Sequence, residues 1–178
     1  MKRSIYLMLL AVFVLACGEQ GAQQKQQQTG PKPDMHAQAK MFIDQGMQHL
    51  NNQDIVNAIR SFDNAIKVDP QNAENFLVLG QVYLRLRNYD KAVDTFNAGT
   101  KIDPNYGEMY YFLGAANAVR LHMAGDGREE FYRQEGILAA KRSVEIFIQE
   151  KDEEKLKLAL GLLKSLEEGG DIGRIPQQ

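Results

Sequence analysis

Few side chains in this sequence could do chemistry. Cys17 is the one cysteine, so the chain can form no internal disulfide and no multi-cysteine metal site. The three histidines, His36, His49 and His122, are scattered. His36 and His49 stand 13 residues apart, and at about 100° per residue a helix would point them to nearly opposite sides. Glu129-Glu130 and Asp152-Glu153-Glu154 supply adjacent carboxylates, the groups that general acid–base work requires. Both clusters also fall where helices are expected to begin, and acidic residues favour the positive end of a helix dipole without any catalytic reason. Gly125-Asp126-Gly127 resembles the opening of a cation loop, but the remaining oxygen ligands do not follow. No glycine-rich phosphate loop, His-Glu-x-x-His pair or nucleophile elbow occurs. The expectation is a protein that is not an enzyme and holds no metal or cofactor.

The chain has 178 residues, 44% hydrophobic and 25% charged, with 21 Lys and Arg against 23 Asp and Glu. That suffices for one domain with a core, and the near-zero net charge argues against a nucleic-acid partner, which needs a basic face. The beginning of the chain stands apart. Lys2 and Arg3 precede an apolar run from Ile5 to Ala16, too short for the roughly 20 helical residues that cross a bilayer. A basic start, a short apolar run and a small residue before a break make a secretory signal. Cys17 sits at the break, in Val14-Leu15-Ala16-Cys17. This resembles the lipobox of bacterial lipoproteins, with Leu15 bulkier than the small residue usual there. The resemblance implies removal of residues 1–16 as a signal peptide. It also implies lipidation of the Cys17 thiol and new amino group by acyl chains such as palmitate. Several chains anchor a protein stably where one would not. The mature chain then keeps 19 Lys and Arg against 23 Asp and Glu, a net charge of −4, so the lipid and not a basic surface must hold it to a membrane. Gly18 follows the cysteine. In enteric-type lipoproteins aspartate in that place retains the protein in the inner membrane, so the resemblance implies the outer membrane, facing the periplasm.

Residues 17–34 read as the lipidated cysteine and a disordered tether. Gln20, Gln23, Gln24, Gln26, Gln27 and Gln28 lead to Gly30-Pro31-Lys32-Pro33, with no aromatic residue and no large aliphatic one from Gly18 to Pro33. Such a segment cannot bury enough apolar surface to order itself. As a flexible chain it reaches about 20 to 25 Å.

The elements that would position any site repeat. Asp69-Pro70 recurs as Asp103-Pro104, and the same offset of 34 relates Ala39 to Ala73, Phe42 to Phe76, Gly46 to Gly80, Leu50 to Leu84, Ala58 to Ala92, Phe62 to Phe96 and Lys67 to Lys101. Nine ungapped identities in 34 positions make an internal repeat. Each unit reads as two antiparallel helices. In the second they run from Ala73 to about Leu86 and from Tyr89 to about Ile102, joined by Arg87-Asn88 and closed by Asp-Pro, because the residue before proline is pushed out of the α region. Phe76, Leu79, Gly80 and Tyr83 share one helical face, where Gly80 admits the partner helix and Phe96 fills the space beside it.

This pattern resembles the tetratricopeptide repeat. The second unit supplies its large residue, Leu-Gly pair, aromatic, alanine, second aromatic, small residue and proline as Phe76, Leu79-Gly80, Tyr83, Ala92, Phe96, Gly99 and Pro104. The first departs with Gln45 and His49, and His49 is expected to be a packed, hydrogen-bonded core residue. The third begins at Gly107 with Tyr110, Leu113 and Gly114 but has Asn117 for the aromatic. After the turn-prone Ala124-Gly125-Asp126-Gly127, Asp126 with Glu129 reads as a helix N-cap. That predicts a long second helix from about Gly127 to Gln149 whose small face is Gly136, Ala140 and Ser143. Asp152-Glu153-Glu154 opens a last helix and Gly169-Gly170 ends it. The expected fold is an all-α tetratricopeptide-repeat superhelical solenoid spanning 35–170: repeats near 39–72, 73–106 and 107–149, a capping helix over 152–168, and a flexible tail at 171–178.

In that family the second, fifth, ninth and twelfth positions of each first helix line a concave, partner-binding groove. Here they carry Lys40, Ile43, Met47 and Leu50, then Glu74, Leu77, Gln81 and Leu84, then Glu108, Tyr111, Ala115 and Ala118. Eight of the twelve are apolar, on a face that packing within a repeat does not need, and exposed apolar strips mark binding sites. Ile43, Met47, Leu50, Leu77, Leu84 and Tyr111 are the expected apolar contacts, and Lys40, Gln81 and Arg85 would fix the partner's register. On this reading Leu77→Asp abolishes binding without unfolding the chain. Some relatives clamp a peptide's terminal carboxylate with Lys and Asn where Ile43 and Met47 stand, so a clamp is not expected. Coverage by the chain's own last helix and contact in a homodimer stay open as alternatives. The function implied is a membrane-anchored protein–protein adaptor or scaffold for assembly of a bacterial envelope complex. Pilotin-like assistance to secretins or type IV pili, or a self-associating structural spacer, are the rivals.

Overall fold

The computed structural model describes residues 34–169. The signal peptide, Cys17, nearly all of the tether and the tail expected from the sequence lie outside the described residues. Those described form seven helices and no strand: α1 (Met35–Asn51), α2 (Ile55–Val68), α3 (Ala73–Arg85), α4 (Tyr89–Ile102), α5 (Gly107–Met123), α6 (Glu129–Glu150) and α7 (Glu153–Glu168). None is long and apolar enough to cross a membrane.

The 34-residue period reaches down to the backbone. α2 and α4 end on Asp69 and Asp103, whose φ of −130° and −128° are the extended values that a following proline demands. Within each pair the turn passes through a left-handed residue, Gln53 (φ 60°) and then Arg87 (φ 57°). The side chains of Asp54 and Asn88 next accept from the N–H groups of Asn57 and Lys91, capping α2 and α4. Asp34, Asn72 and Asp152 cap α1, α3 and α7 in the same way.

Inside each pair one contact sets the packing. The Phe62 ring lies over Gly46 and the Phe96 ring over Gly80, so close that a Cβ on either glycine would overlap the ring. Both rings are fully buried, each burial worth about 1.5 to 3 kcal/mol. Between α5 and α6 the close approach is made by backbone instead: a Cβ on Gly114 would stand 3.2 Å from the Gly136 carbonyl and 3.3 Å from the Ala140 amide. Gly136, Ala140 and Ser143 are buried there, where the sequence placed its small face.

The third unit is longer, 17 and 22 residues per helix against 13 and 14 in the second. Asn117, in the aromatic's place, is buried and donates to the Leu113 carbonyl at 3.2 Å. Its own carbonyl oxygen accepts from Arg120 at 3.2 Å. The expected N-cap moves. Arg128, not Asp126, occupies that place and gives no side-chain cap. Asp126 is spent otherwise, accepting from the Arg128 amide (3.0 Å), Arg128 Nε (2.8 Å) and the Tyr132 hydroxyl (3.0 Å). An Asx turn thus wins over the capping box, and the helix starts two residues later than the sequence suggests. α7 then packs on both α6 and α5, as α5 packs on α4 and α3. Its Ala159, Leu162 and Leu166 are buried.

Candidate functional site

The twelve positions of the expected groove lie on α1, α3 and α5, and the structure divides them. Lys40, Met47 and Glu74 are exposed, as is Arg85 just past the last groove position of α3; Ile43, Leu50, Gln81, Leu84, Glu108 and Tyr111 are half-buried; Leu77 is buried at 6% exposure. Leu77 belongs to the main core, with Ile43, Leu50 and Leu84 packed against it. Ala115 and Ala118 are buried too, in a cluster with Leu162 and Leu166 of α7 and with Tyr111 at its edge. This corrects the expectation that the repeat packing leaves this face free. Successive first helices touch one another, α3 with α5 and α5 with α7, and those contacts consume side chains that packing inside a single pair would not need. Leu77→Asp would therefore bury a carboxylate in the core, so it is a folding variant and not a clean binding variant.

What stays open at the surface is narrower and more polar. Met47, 43% exposed, is its apolar point. Lys40 holds both oxygens of Asp44 at 3.3 Å one turn along α1, a solvated pair worth little in stability. The Tyr111 ring meets Phe112 edge-on at 5.3 Å, and burial raises its phenol pKa. At the α7 end Lys155 Nζ reaches Glu108 (2.9 Å) and Asp152 (3.2 Å), tying the start of α5 to the start of α7. The bond to Glu108 holds Lys155 above the usual lysine range. Tyr106, beside Glu108, is pushed up to about 12 by burial.

His49, expected in the core, is only half-buried, with Nδ1 3.4 Å from Asp54. His36, on the same helix, reaches Asp69 at 3.4 Å and Asn72 at 3.2 Å. Asp126, the centre of the cation-like loop, has its oxygens taken by Arg128 and Tyr132, and the Arg128 bonds hold its pKa below the ordinary carboxylate value. Among the described residues no three His, Cys, Asp or Glu side chains gather as metal ligands.

An open cleft of about 500 Å³ escaped the sequence reading. It lies between the α3–α4 and α5–α6 connections, with Arg87, Tyr89, Asp90, Met123 and Arg128 on its walls. Arg120 lies along it, stacked 4.2 Å from the Tyr132 ring centre and paired with Asp90 at 3.0 Å. Asn117, the departure from the repeat pattern on α5, accepts from Arg120 through its side-chain oxygen at 3.2 Å.

The described helices stack in pairs, the first two closed by a Gly–Phe contact and the third by a backbone approach, and this is the fold of a tetratricopeptide-repeat solenoid. Residues 49–116 match the family model of the tetratricopeptide repeat. Solved structures share the fold at low identity. The TPR2B domain of yeast Sti1, in complex with pHsp70, superposes with a TM-score of 0.63 at 14% identity, over 75% of this chain and 98% of that one. The second TPR domain of human RPAP3, in complex with the HSP70 peptide SGPTIEEVD, gives 0.58 at 19% over 75% and 98%. The type III secretion translocator chaperone SycD of Yersinia enterocolitica gives 0.59 at 13% over 72% and 90%. No curated protein matches the chain in sequence.

Proposed function

We propose that this chain is a protein-binding adaptor that gathers partners for assembly of an envelope complex, carried on the outer membrane by lipid on Cys17 and facing the periplasm. The observation that carries the binding role is the surface left after the first helices have packed together. On α1 Met47 is exposed between half-buried Ile43 and Leu50, with Lys40 exposed two turns before it; on α3 Leu84 is half-buried and Arg85 exposed. A peptide laid there gains apolar contact at Met47 and charge contact at the two cations. The likeness to Sti1 and RPAP3 domains solved with Hsp70 ligands supports a peptide partner. The apolar Ile43 and Met47 argue against recognition through a terminal carboxylate. The membrane role rests on the Val14-Leu15-Ala16-Cys17 sequence.

A photo-reactive amino acid at Met47, in the lipidated protein expressed in its own host, tests the groove. Repeated capture of one envelope protein, lost when Arg85→Glu is added, is the expected result. Capture of nothing, or of this chain itself, would sink the adaptor reading. For the anchor, Cys17→Ser should move the protein from the membrane fraction to the soluble one. A variant that stays with the membrane would remove lipidation as the anchor.

A further inference from the structure

The last helix carries a packing face that nothing in the described chain uses. Leu160-Gly161 in α7 repeats the Leu79-Gly80 of α3 and the Leu113-Gly114 of α5. In α3 and α5 the leucine is 4% and 8% exposed, and the glycine lies against the second helix of its pair. In α7 Leu160 is 47% exposed, and a Cβ on Gly161 would meet nothing within 4 Å. The opposite face of α7 is buried against α5 and α6, so the helix sits where the first helix of a fourth pair would sit. A glycine in mid-helix loses more conformational freedom on folding than alanine would. At Gly46 and Gly80 a phenylalanine ring uses the space gained; at Gly161 no described residue does.

The second unit shows what a fitting occupant must look like. There Phe96 of α4 covers Gly80, Lys91 lies 5.4 Å from the ring of Tyr83, and Gly99 stands against Phe76. The α7 residues matching Tyr83 and Phe76 are Lys164 and Lys157, both exposed. Neither has an ion-pair partner among the described residues. Glu154 and Glu168 lie on the same stripe but at its two ends. The middle of the face is thus a glycine notch between two cations. A second copy of α7, laid antiparallel across Gly161, would set Lys157 against Lys164, like charge on like charge. Charge therefore selects a different, acidic helix.

We propose that α7 is an open half-pair, completed by an amphipathic helix of another protein. That helix seats an aromatic side chain on Gly161 and brings carboxylates to Lys164 and Lys157. By the α4 template these carboxylates stand five residues before the aromatic and three after it. This surface is separate from the one on α1 and α3.

The test uses a stapled helical peptide with the α4 sequence, Tyr89–Ile102, carrying Lys91→Glu and Gly99→Glu, and fluorescence anisotropy with the full-length chain. Stapling removes the folding cost of a short helix. Saturable binding is expected, at least tenfold weaker for a peptide with Phe96→Ala and for the protein variants Gly161→Ala and Lys157→Glu/Lys164→Glu. Gly161→Ala is also expected to raise the thermal midpoint by a few degrees, so its loss of binding is not a loss of fold. No saturable binding, or binding indifferent to Gly161→Ala, overturns the proposal. A dimer in sedimentation that Gly161→Ala dissociates overturns it as well, since the occupant is then a second copy. So does binding that appears only when residues 170–178 are removed, since the tail is then the cover.

Discussion

At the scale of single residues, the same substitution should act with opposite sign at two glycines. A Cβ on Gly80 overlaps the Phe96 ring, which is fully buried and has no room to retreat. Overpacking of that kind costs about 1 to 3 kcal/mol, against a helix-propensity gain of about 1 kcal/mol for alanine over glycine. Gly80→Ala should therefore lower the urea midpoint, while Gly161→Ala, with open space around it, should raise it. Equal shifts at both sites would show that the Phe96 contact does not set the spacing of α3 and α4. Gly80 was legible in the sequence because its role is local: a small residue on one helix faces a large one on the next, and both recur 34 residues apart. Leu77 was not legible. Its burial depends on how far one pair leans on the next, a relation between elements that no single helix records.

At the scale of elements, caps and turns explain where helices begin and end, and one cap adds a pH dependence. Asp152 accepts from the Lys155 amide at 3.0 Å and from Lys155 Nζ at 3.2 Å. The amide bond is the larger reason its pKa lies below the ordinary value of 3.8. A carboxyl held low in the folded state stabilises α7 above its unfolded pKa, and that contribution is lost as pH falls from about 3.8 through the folded value. Lys155, held above the lysine range by Glu108, stays charged across this window, so the change belongs to the acids. Asp152→Asn keeps a capping oxygen but removes the charge. The thermal midpoint of the variant should fall less than that of the native chain between pH 5 and pH 3. Identical curves would mean that the cap and ion pair contribute nothing. The Asp-Pro breaks and the acidic start of α7 were readable because each acts within a few residues. The α6 start was not, because Asp126 had two local uses, and the Arg128 and Tyr132 side chains that decide between them come after it in the chain.

At the scale of the whole molecule, the stacking that makes the fold also decides which residues of the α1, α3 and α5 face stay exposed. In a repeat array each pair is held by its neighbours, and Leu77 sits in the middle of the chain of contacts from α1 to α7, in the cluster that joins side chains from the first six helices. An aspartate there places a charge among apolar neighbours, with an expected loss of roughly 3 to 5 kcal/mol. Domains of this size have about 5 to 15 kcal/mol in all, so Leu77→Asp should melt at markedly lower temperature by circular dichroism, whatever it binds. Met47, exposed on α1, makes no such contribution. Met47→Asp should leave the melt within about 0.5 kcal/mol of native while weakening capture of the partner. The two variants together separate folding from binding on one face. If Met47→Asp destabilises the chain as Leu77→Asp does, the whole face serves the fold, and the partner surface must be sought at the exposed end of the array on α7.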